Sequence, residues 1–321
     1  MNGNALHPMR VLLCGDTFPA AGMLLRERLR HDVVDVWHNR NDMTGVPPAD
    51  VLIPMMFRID AEVMDRVHPR LIHQWGSGLE GVAVEAARDR GIAVANVPTS
   101  GSNANSVAEH VVLLILALLR QLPAAQSNVR GGVLGAPLGR MLAGRTVCLW
   151  GLGATALALT RRLRGLDVRL VGITRDPDAP KVARFALDAC YSSRDHDACL
   201  QQTDILVLCT RLSAETRGLI DASVLAALRE GAYLVNAARG GLVEYHALCD
   251  ALSTGRLAGA GLDVFWDEPA RPDDPLLALP NVIATPHVAG VTDNSYGEIA
   301  EALVANIERL RSGEALQNRV V

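Results

Sequence analysis

The sequence of 321 residues has no strong net charge, no apolar run of membrane-spanning length and no closely paired cysteines. Each absence excludes a class of protein. The formal charge is −4, with Arg and Lys scattered along the chain, so no basic stripe marks a nucleic-acid surface. A few placed arginines can still hold a small anion. The most apolar stretch, Val111–Leu119, is about half of a membrane span and ends at Arg120. It predicts a buried helix and no membrane partner. Met1 to Arg10 lacks the charged-then-apolar order of a secretory signal. Cys14, Cys148, Cys190, Cys199, Cys209 and Cys249 form no C-x-x-C pair, so neither zinc nor a disulfide framework is expected. They read as reduced thiols in a cytoplasmic chain. Disorder needs low hydrophobicity and high net charge. With 49% apolar and 21% charged residues, the composition is instead globular. The length suits two domains.

What is present is a repeated alternation of short apolar runs and helix-period segments. Strands are predicted at Val11–Cys14, Val51–Pro54, Leu71–Trp75 and Ile92–Ala95, with helices near Ala20–Leu29, Asp60–Val67 and Val84–Arg90. Ser102-Asn103-Ala104-Asn105 supplies capping residues for a helix expected from Ser106 to Leu122, ending before Pro123. Its middle is apolar nearly all round, so it must be covered on most sides. After a Gly- and Pro-rich loop at Gly131–Gly139 a second series begins. Its strands are predicted at Thr146–Trp150, Arg169–Ile173, Ile205–Cys209, Tyr233–Asn236, Gly259–Asp263 and Val282–Ala284. A last helix is expected at Thr292–Ser312. The fold class that follows is α/β, with two Rossmann-like, doubly wound parallel-sheet domains and a ligand cleft between them.

The sharpest local motif is Gly151-Leu152-Gly153-Ala154-Thr155-Ala156, between a predicted strand and a predicted helix. Gly151 permits a tight turn and Gly153 lets a pyrophosphate approach the backbone. Ala156 is small where helix and strand pack, and the helix N-terminus faces the phosphates. In this context the motif predicts dinucleotide binding. An acidic residue at the end of the next strand would favour the ribose diol of NAD. Here that strand ends in Thr174-Arg175, and a hydroxyl followed by a guanidinium suits the 2′-phosphate of NADP. NADP is therefore the expected preference, with NAD possible through Asp176.

Three residues beyond this turn make a candidate catalytic set: Arg239 before Gly240-Gly241, Glu268 before Pro269, and His287 in Thr285-Pro286-His287. Singly, each has an ordinary structural reading. Together they match what reduction of a keto acid needs. Histidine is the natural proton donor near neutral pH, a carboxylate beside it favours the imidazolium form, and an arginine fork holds a carboxylate.

The chain resembles the D-isomer-specific 2-hydroxyacid dehydrogenase family. The resemblance rests on the glycine turn, Asn236-Ala237-Ala238-Arg239-Gly240-Gly241-Leu242-Val243, Asp263-Val264-Phe265 with Glu268-Pro269, and Pro280-Asn281-Val282 with Thr285-Pro286-His287. It implies that His287 is the general acid/base, Glu268 its partner and Arg239 the substrate anchor. It also implies that Asp263 and the backbone near Ala237 hold the nicotinamide carboxamide, with Thr210 and Gly290 also at the cofactor. A discontinuous substrate domain, residues 1–103 and 290–321, would enclose an inserted dinucleotide domain, residues 104–289. The long helix would take part in a homodimer, and Ser106-Val107-Ala108-Glu109-His110 looks like the family's segment at its start. Gln74–Gly81, with Ser77 and Gly78, looks like the loop whose N–H groups receive the substrate carboxylate. Met55 and Met56 would form an apolar wall of the pocket, and Trp266 either shapes that pocket or packs in the core. Departures are Arg211, where the family often has Pro, and Ala83, where Asp is frequent. Arg58 could contact a second acidic group of a substrate, but reads more readily as a solvated or helix-capping charge. A dinucleotide-sensing, corepressor-like protein with negligible turnover is the alternative from a different functional class.

Overall fold

The computed structural model describes residues 7–98 and 101–321. The secretory-signal reading lies, for residues 1–6, outside the described residues. The chain divides into two compact units, Met1–Ser102 with Asp293–Val321, and Asn103–Thr292.

The first unit is built from β1 (Arg10–Cys14), α1 (Pro19–Arg28), β2 (Val33–Trp37), β3 (Val51–Ile53), α2 (Ala61–Val67), β4 (Leu71–His73), α3 (Val84–Asp89) and β5 (Ala93–Ala95). Its sheet runs in the order β2-β1-β3-β4-β5, with every pair parallel. β3, β4 and β5 are buried along their whole length, as befits parallel strands covered on both faces. Asp60 caps α2 by accepting from Val63 N at 3.2 Å. Arg58 is exposed, so its role as a capping charge is replaced by the carboxylate two residues on.

The second unit, from Asn103, takes in nearly all of α4 (Ser102–Leu119) and then α5 (Leu122–Arg130). Strand–helix alternation follows: β6 (Thr146–Trp150), α6 (Ala154–Leu163), β7 (Arg169–Thr174), α7 (Ala179–Phe185), β8 (Ala189–Ser192), α8 (Asp197–Leu200), β9 (Ile205–Leu208), α9 (Ala222–Ala227), β10 (Ala232–Asn236), α10 (Tyr245–Ser253), β11 (Leu257–Leu262) and β12 (Val282–Ala284). Finally α11 (Asp293–Ser312) belongs to the first unit. The larger sheet is parallel in the order β12-β11-β10-β9-β6-β7-β8. Strand order reverses beside β6, so the turn after β6 lies at a topological switch point, where doubly wound sheets bind ligands.

Several boundaries depart from the sequence reading. Ser102–Asn105 form the first turn of α4 instead of preceding it. Pro123 does not stop a helix but stands in the first turn of α5, where its missing N–H has no partner to lose. The break falls at Gln121, in the left-handed conformation at φ 49°. By length and mean hydropathy (1.5) α4 matches a membrane span, yet half of it is buried. Leu114 and Leu118 lie against Gly259 and Gly261 of β11, where an added Cβ would meet them at about 3.2 Å, so small residues in the strand let the helix approach. β2 and β8 are additional strands.

Candidate active site

The glycine turn is built by contact. Gly151 sits at φ 101°, and a Cβ there would lie 2.7 Å from the Thr210 amide nitrogen and 2.8 Å from the Cys209 carbonyl carbon. Only glycine fits, which brings the ends of β6 and β9 together. Gly153 is the N-cap of α6 and supplies no side-chain acceptor to the helix's first turn. A Cβ added there would meet nothing within 4 Å. Open space above a bare glycine at the start of a ten-residue helix without acidic residues in its first turn fits a pyrophosphate. Leu152 packs toward Gly172 of β7, Ala156 is fully buried beneath the turn, and Ala154 and Thr155 form the first turn of α6.

Thr174 ends β7, and Arg175 follows with its side chain 79% exposed and 3.5 Å from Glu215. Asp176 and Arg211 are exposed. Thr210, Ala237, Asp263 and Gly290 all follow the carboxyl ends of β9, β10, β11 and β12. The sheet thus delivers every dinucleotide-site residue named from the sequence to one edge of the second unit.

The Arg239 turn is held by Asn236, which donates from Nδ2 to the Arg239 carbonyl at 2.8 Å and accepts from Ala238 N at 3.0 Å. Gly240 locks this turn against the next strand end, because a Cβ there would lie 2.1 Å from the Phe265 carbonyl carbon. The Phe265 amide in turn donates to Glu268 Oε1 at 2.9 Å. The other carboxylate oxygen is 2.6 Å from His287 Nδ1. Burial opposes ionisation of Glu268. The hydrogen bond and charge of His287, the Phe265 N–H and the Arg239 charge outweigh it and hold the carboxyl below its ordinary range. Nδ1 is engaged by Glu268 and the imidazole side chain is 36% exposed, so proton exchange with a ligand would run through Nε2.

His287 itself has φ 53°, left-handed backbone that costs a non-glycine residue about 1 kcal/mol. Its N–H bonds the Asp263 carbonyl at 2.9 Å, and the buried Asp263 carboxylate accepts from Val288 N at 2.9 Å and Ala289 N at 2.8 Å. Asp263 therefore grips both sides of the histidine.

Trp266 donates to the Val243 carbonyl at 2.7 Å and stacks edge-on with Tyr245, which assigns it to packing. In the first unit, Met55 follows β3, is 7% exposed, and lines a cavity of about 380 Å³ with Leu13, Phe18, Met23 and His38. Ser77 and Gly78 follow β4 in a half-buried loop. Asn96 Nδ2 bonds the Ser77 carbonyl at 2.9 Å, and Gly76 at φ 114° starts the turn. Met56 is 37% exposed, and Ala83 is the N-cap of α3 without a side-chain bond. The six cysteines are free thiols, and no group of His, Cys, Asp or Glu able to hold a metal occurs among the described residues.

Gly240, Asn236 and Asp263's grip on the His287 turn are functional features that motif spacing did not reveal. Asp263 was named from the sequence for the cofactor and not for this grip, and the doubled glycine after Arg239 and the asparagine at a strand end were the traces of the other two.

Residues 112–289 match the family described as D-isomer specific 2-hydroxyacid dehydrogenase, NAD binding domain. Among curated relatives, a glyoxylate reductase of Thermofilum pendens is 35% identical over 276 residues, covering 82% of this chain and 79% of the relative. D-3-phosphoglycerate dehydrogenase of Archaeoglobus fulgidus is 32% identical over 273 residues, 84% of this chain. The chain spans 51% of that relative's length and 58% of its Mycobacterium bovis counterpart's. The structure of an NADPH-dependent glyoxylate/hydroxypyruvate reductase of Sinorhizobium meliloti in complex with NADP and malonate superposes with a TM-score of 0.82. It is 32% identical, covering 98% of this chain and 97% of that one. The chain belongs to the D-isomer-specific 2-hydroxyacid dehydrogenase family.

Proposed function

We propose that the protein is a nicotinamide-dependent oxidoreductase that interconverts a small 2-keto acid and its D-2-hydroxy acid, with NADPH preferred. The observation that carries this reading is the 2.6 Å contact of His287 Nδ1 with the Glu268 carboxylate, on turns adjoining that of Arg239. Arg239 binds the substrate carboxylate by its guanidinium fork and polarises the neighbouring carbonyl. His287 gives its Nε2 proton to the carbonyl oxygen as the alcohol forms and takes it back in the reverse direction, while Glu268 stabilises the imidazolium and fixes the ring. When bound, the nicotinamide supplies or accepts the hydride. The Gly151–Gly153 turn and the first turn of α6 hold the phosphates, and Thr174 with Arg175 receives the 2′-phosphate.

The second unit takes the dinucleotide. The first takes the acid through Met55, Ser77 and Gly78. The exposed apolar side chains of Leu113, Leu116, Val129, Leu134, Leu138 and Met141, on α4, α5 and the segment after them, support a homodimer, which light scattering on the purified protein would detect. Free thiols support a cytoplasmic location.

The test is oxidation of NADPH and NADH in parallel against glyoxylate, hydroxypyruvate, pyruvate and phenylpyruvate. Turnover of one acid, faster with NADPH, is expected; no turnover with any acid overturns the reading. Arg175→Ala should weaken NADPH binding by about tenfold and NADH little. Equal losses would remove Arg175 from the 2′-phosphate site.

A further inference from the structure

The first turns of α4 carry polar residues at a helical spacing. Asn103, Ser106 and His110 are three and four positions apart, so they share one face. That face runs along the segment that bears His287. Asn103 Oδ1 stands 2.6 Å from where a Cβ on Gly290 would be. Ser106 Oγ is 2.6 Å from Thr292 Oγ1, and His110 Nε2 is 2.9 Å from Thr285 Oγ1.

The direction of the last contact can be assigned. The Thr285 hydroxyl donates to Asp263 Oδ1 at 2.6 Å, a carboxyl whose two oxygens also accept backbone N–H groups. The hydroxyl proton therefore goes to Asp263, and the hydroxyl oxygen accepts from His110 Nε2–H. The relay runs from His110 through Thr285 to a buried carboxylate. That carboxylate's remaining acceptor positions take the amides of Val288 and Ala289, the residues just after His287. Left-handed backbone at a β-substituted residue persists only where its surroundings over-determine it.

We propose that His110 is a positioning residue for the reaction: acting through Thr285 and Asp263, it holds the backbone at His287 in the conformation that keeps Nδ1 on Glu268. The proposal rests on the reading of His287 as the proton carrier. The helix that packs the dinucleotide unit thereby also braces its acid/base turn. No contact of His110 with substrate or cofactor is required.

The test compares His110→Phe, which removes the donor, with His110→Gln, which keeps one. Two readouts are independent of each other. The first is the imidazole 15N signals of His287 in the protein without substrate, assigned by their absence in His287→Gln. The second is the pH profile of keto-acid reduction. In His110→Phe the Nδ1 signal should move toward that of a histidine without a carboxylate partner. Its kcat should fall about tenfold, with KM and cofactor Kd within about twofold, since a small misplacement of a reacting group costs rate more than binding. The high-pH limb should move to lower pH, the direction expected for loss of Glu268 itself. His110→Gln should recover most of the signal and the rate.

An unmoved Nδ1 signal together with an unmoved pH limb in His110→Phe overturns the proposal. Equal losses in the Phe and Gln variants, in step with a lowered Tm, overturn it too, since that is the mark of packing alone. If His110→Phe does not fold, Thr285→Val removes the hydroxyl between His110 and Asp263, whose Oδ1 also lies 3.5 Å from His110 Nε2; in that variant an unmoved Nδ1 signal and pH limb overturn the route through Thr285. Failure of the functional reading looks different: the wild type turns over no acid, while the 15N comparison still decides whether His110 sets the His287–Glu268 bond.

Discussion

Each unit of the molecule ends a parallel strand near a histidine, and the two are held in opposite ways. His73 closes β4 in the first unit and has no exposed surface. Its Nδ1 faces the Gln74 carbonyl at 3.1 Å, and its Nε2 is 3.0 Å from the Asn306 amide nitrogen. Nδ1 is therefore the protonated nitrogen of a neutral ring. Burial drives its pKa down to about 4, against a smaller opposing effect of the Gln74 bond. His287 in the second unit is partly open to water, and its Nδ1 partner is a carboxylate. A buried histidine between neutral groups is a strut; one with water access and a carboxylate partner can carry a proton.

The largest test of that contrast is exchange of the two side chains for others. His287→Gln should lower kcat by about 10²–10⁴, the usual worth of a positioned acid/base, and leave the melting temperature near wild type. His73→Leu should do the reverse. It leaves the buried Asn306 amide short of an acceptor, a loss of about 1–3 kcal/mol of stability, with kcat unchanged. Equal losses of kcat in the two variants would erase the distinction.

Next in size is Arg239→Ala. Removal of a charge-assisted contact to the reacting acid should raise KM and also lower kcat, with kcat/KM falling by about 10²–10³. If steady-state kinetics leaves both parameters near wild type, Arg239 is not the anchor.

The pH dependence of stability should separate the units further. His73 titrates near 6.5 when unfolded and near 4 when folded, so the folded protein binds fewer protons in that window. Its stability is complete above the unfolded pKa. It declines as pH falls from 6.5 to 4, by about 3 kcal/mol, and declines no further below. Denaturant titrations across that range should show the decline in wild type and its absence in His73→Leu. A flat wild-type profile would mean that the ring is not held neutral.

The contrast also explains what could be read without coordinates. The glycine turn after β6 was legible because its chemistry is local: strand, Gly151, Gly153 and helix follow one another directly. The strands missed were β2 and β8, and both lie at the edge of their sheets. Val33–Trp37 and Ala189–Ser192 are half-exposed over most of their length, so they lack the continuous apolar run of a central strand. Ser102–Asn105 has the composition of a cap, but tertiary contacts of Asn103 and Ser106 extend the helix through it. Pro123 signalled a stop and proved to be a start, since a proline is equally at home in either place by sequence alone. Gly240 and Asn236 act through contacts with Phe265 and with the turn's own backbone, and no spacing rule records those. The pairing of His287 with Glu268 was inferred from chemical need, but its atom-level form, Nδ1 to one oxygen with Phe265 N on the other, depends on how two strand ends meet.

The smallest expected effect, and the most specific, concerns Glu268→Gln. The carboxyl of Glu268 is held below its ordinary range, so it stays ionised through neutral pH and is lost only as pH falls through that depressed value. Over the working range it therefore presents a constant negative charge to His287. An amide in its place keeps the shape and an acceptor for Phe265 N but removes the charge that favours imidazolium. Reduction needs the protonated ring, so its rate falls at high pH, and that high-pH limb should move to lower pH in Glu268→Gln, which removes the charge favouring the imidazolium. Oxidation needs the neutral ring, and its low-pH limb should move in the same direction by the same amount. A shift in one reaction direction alone would point to a group other than His287, and no shift in either would show that the 2.6 Å contact does not couple the two charges.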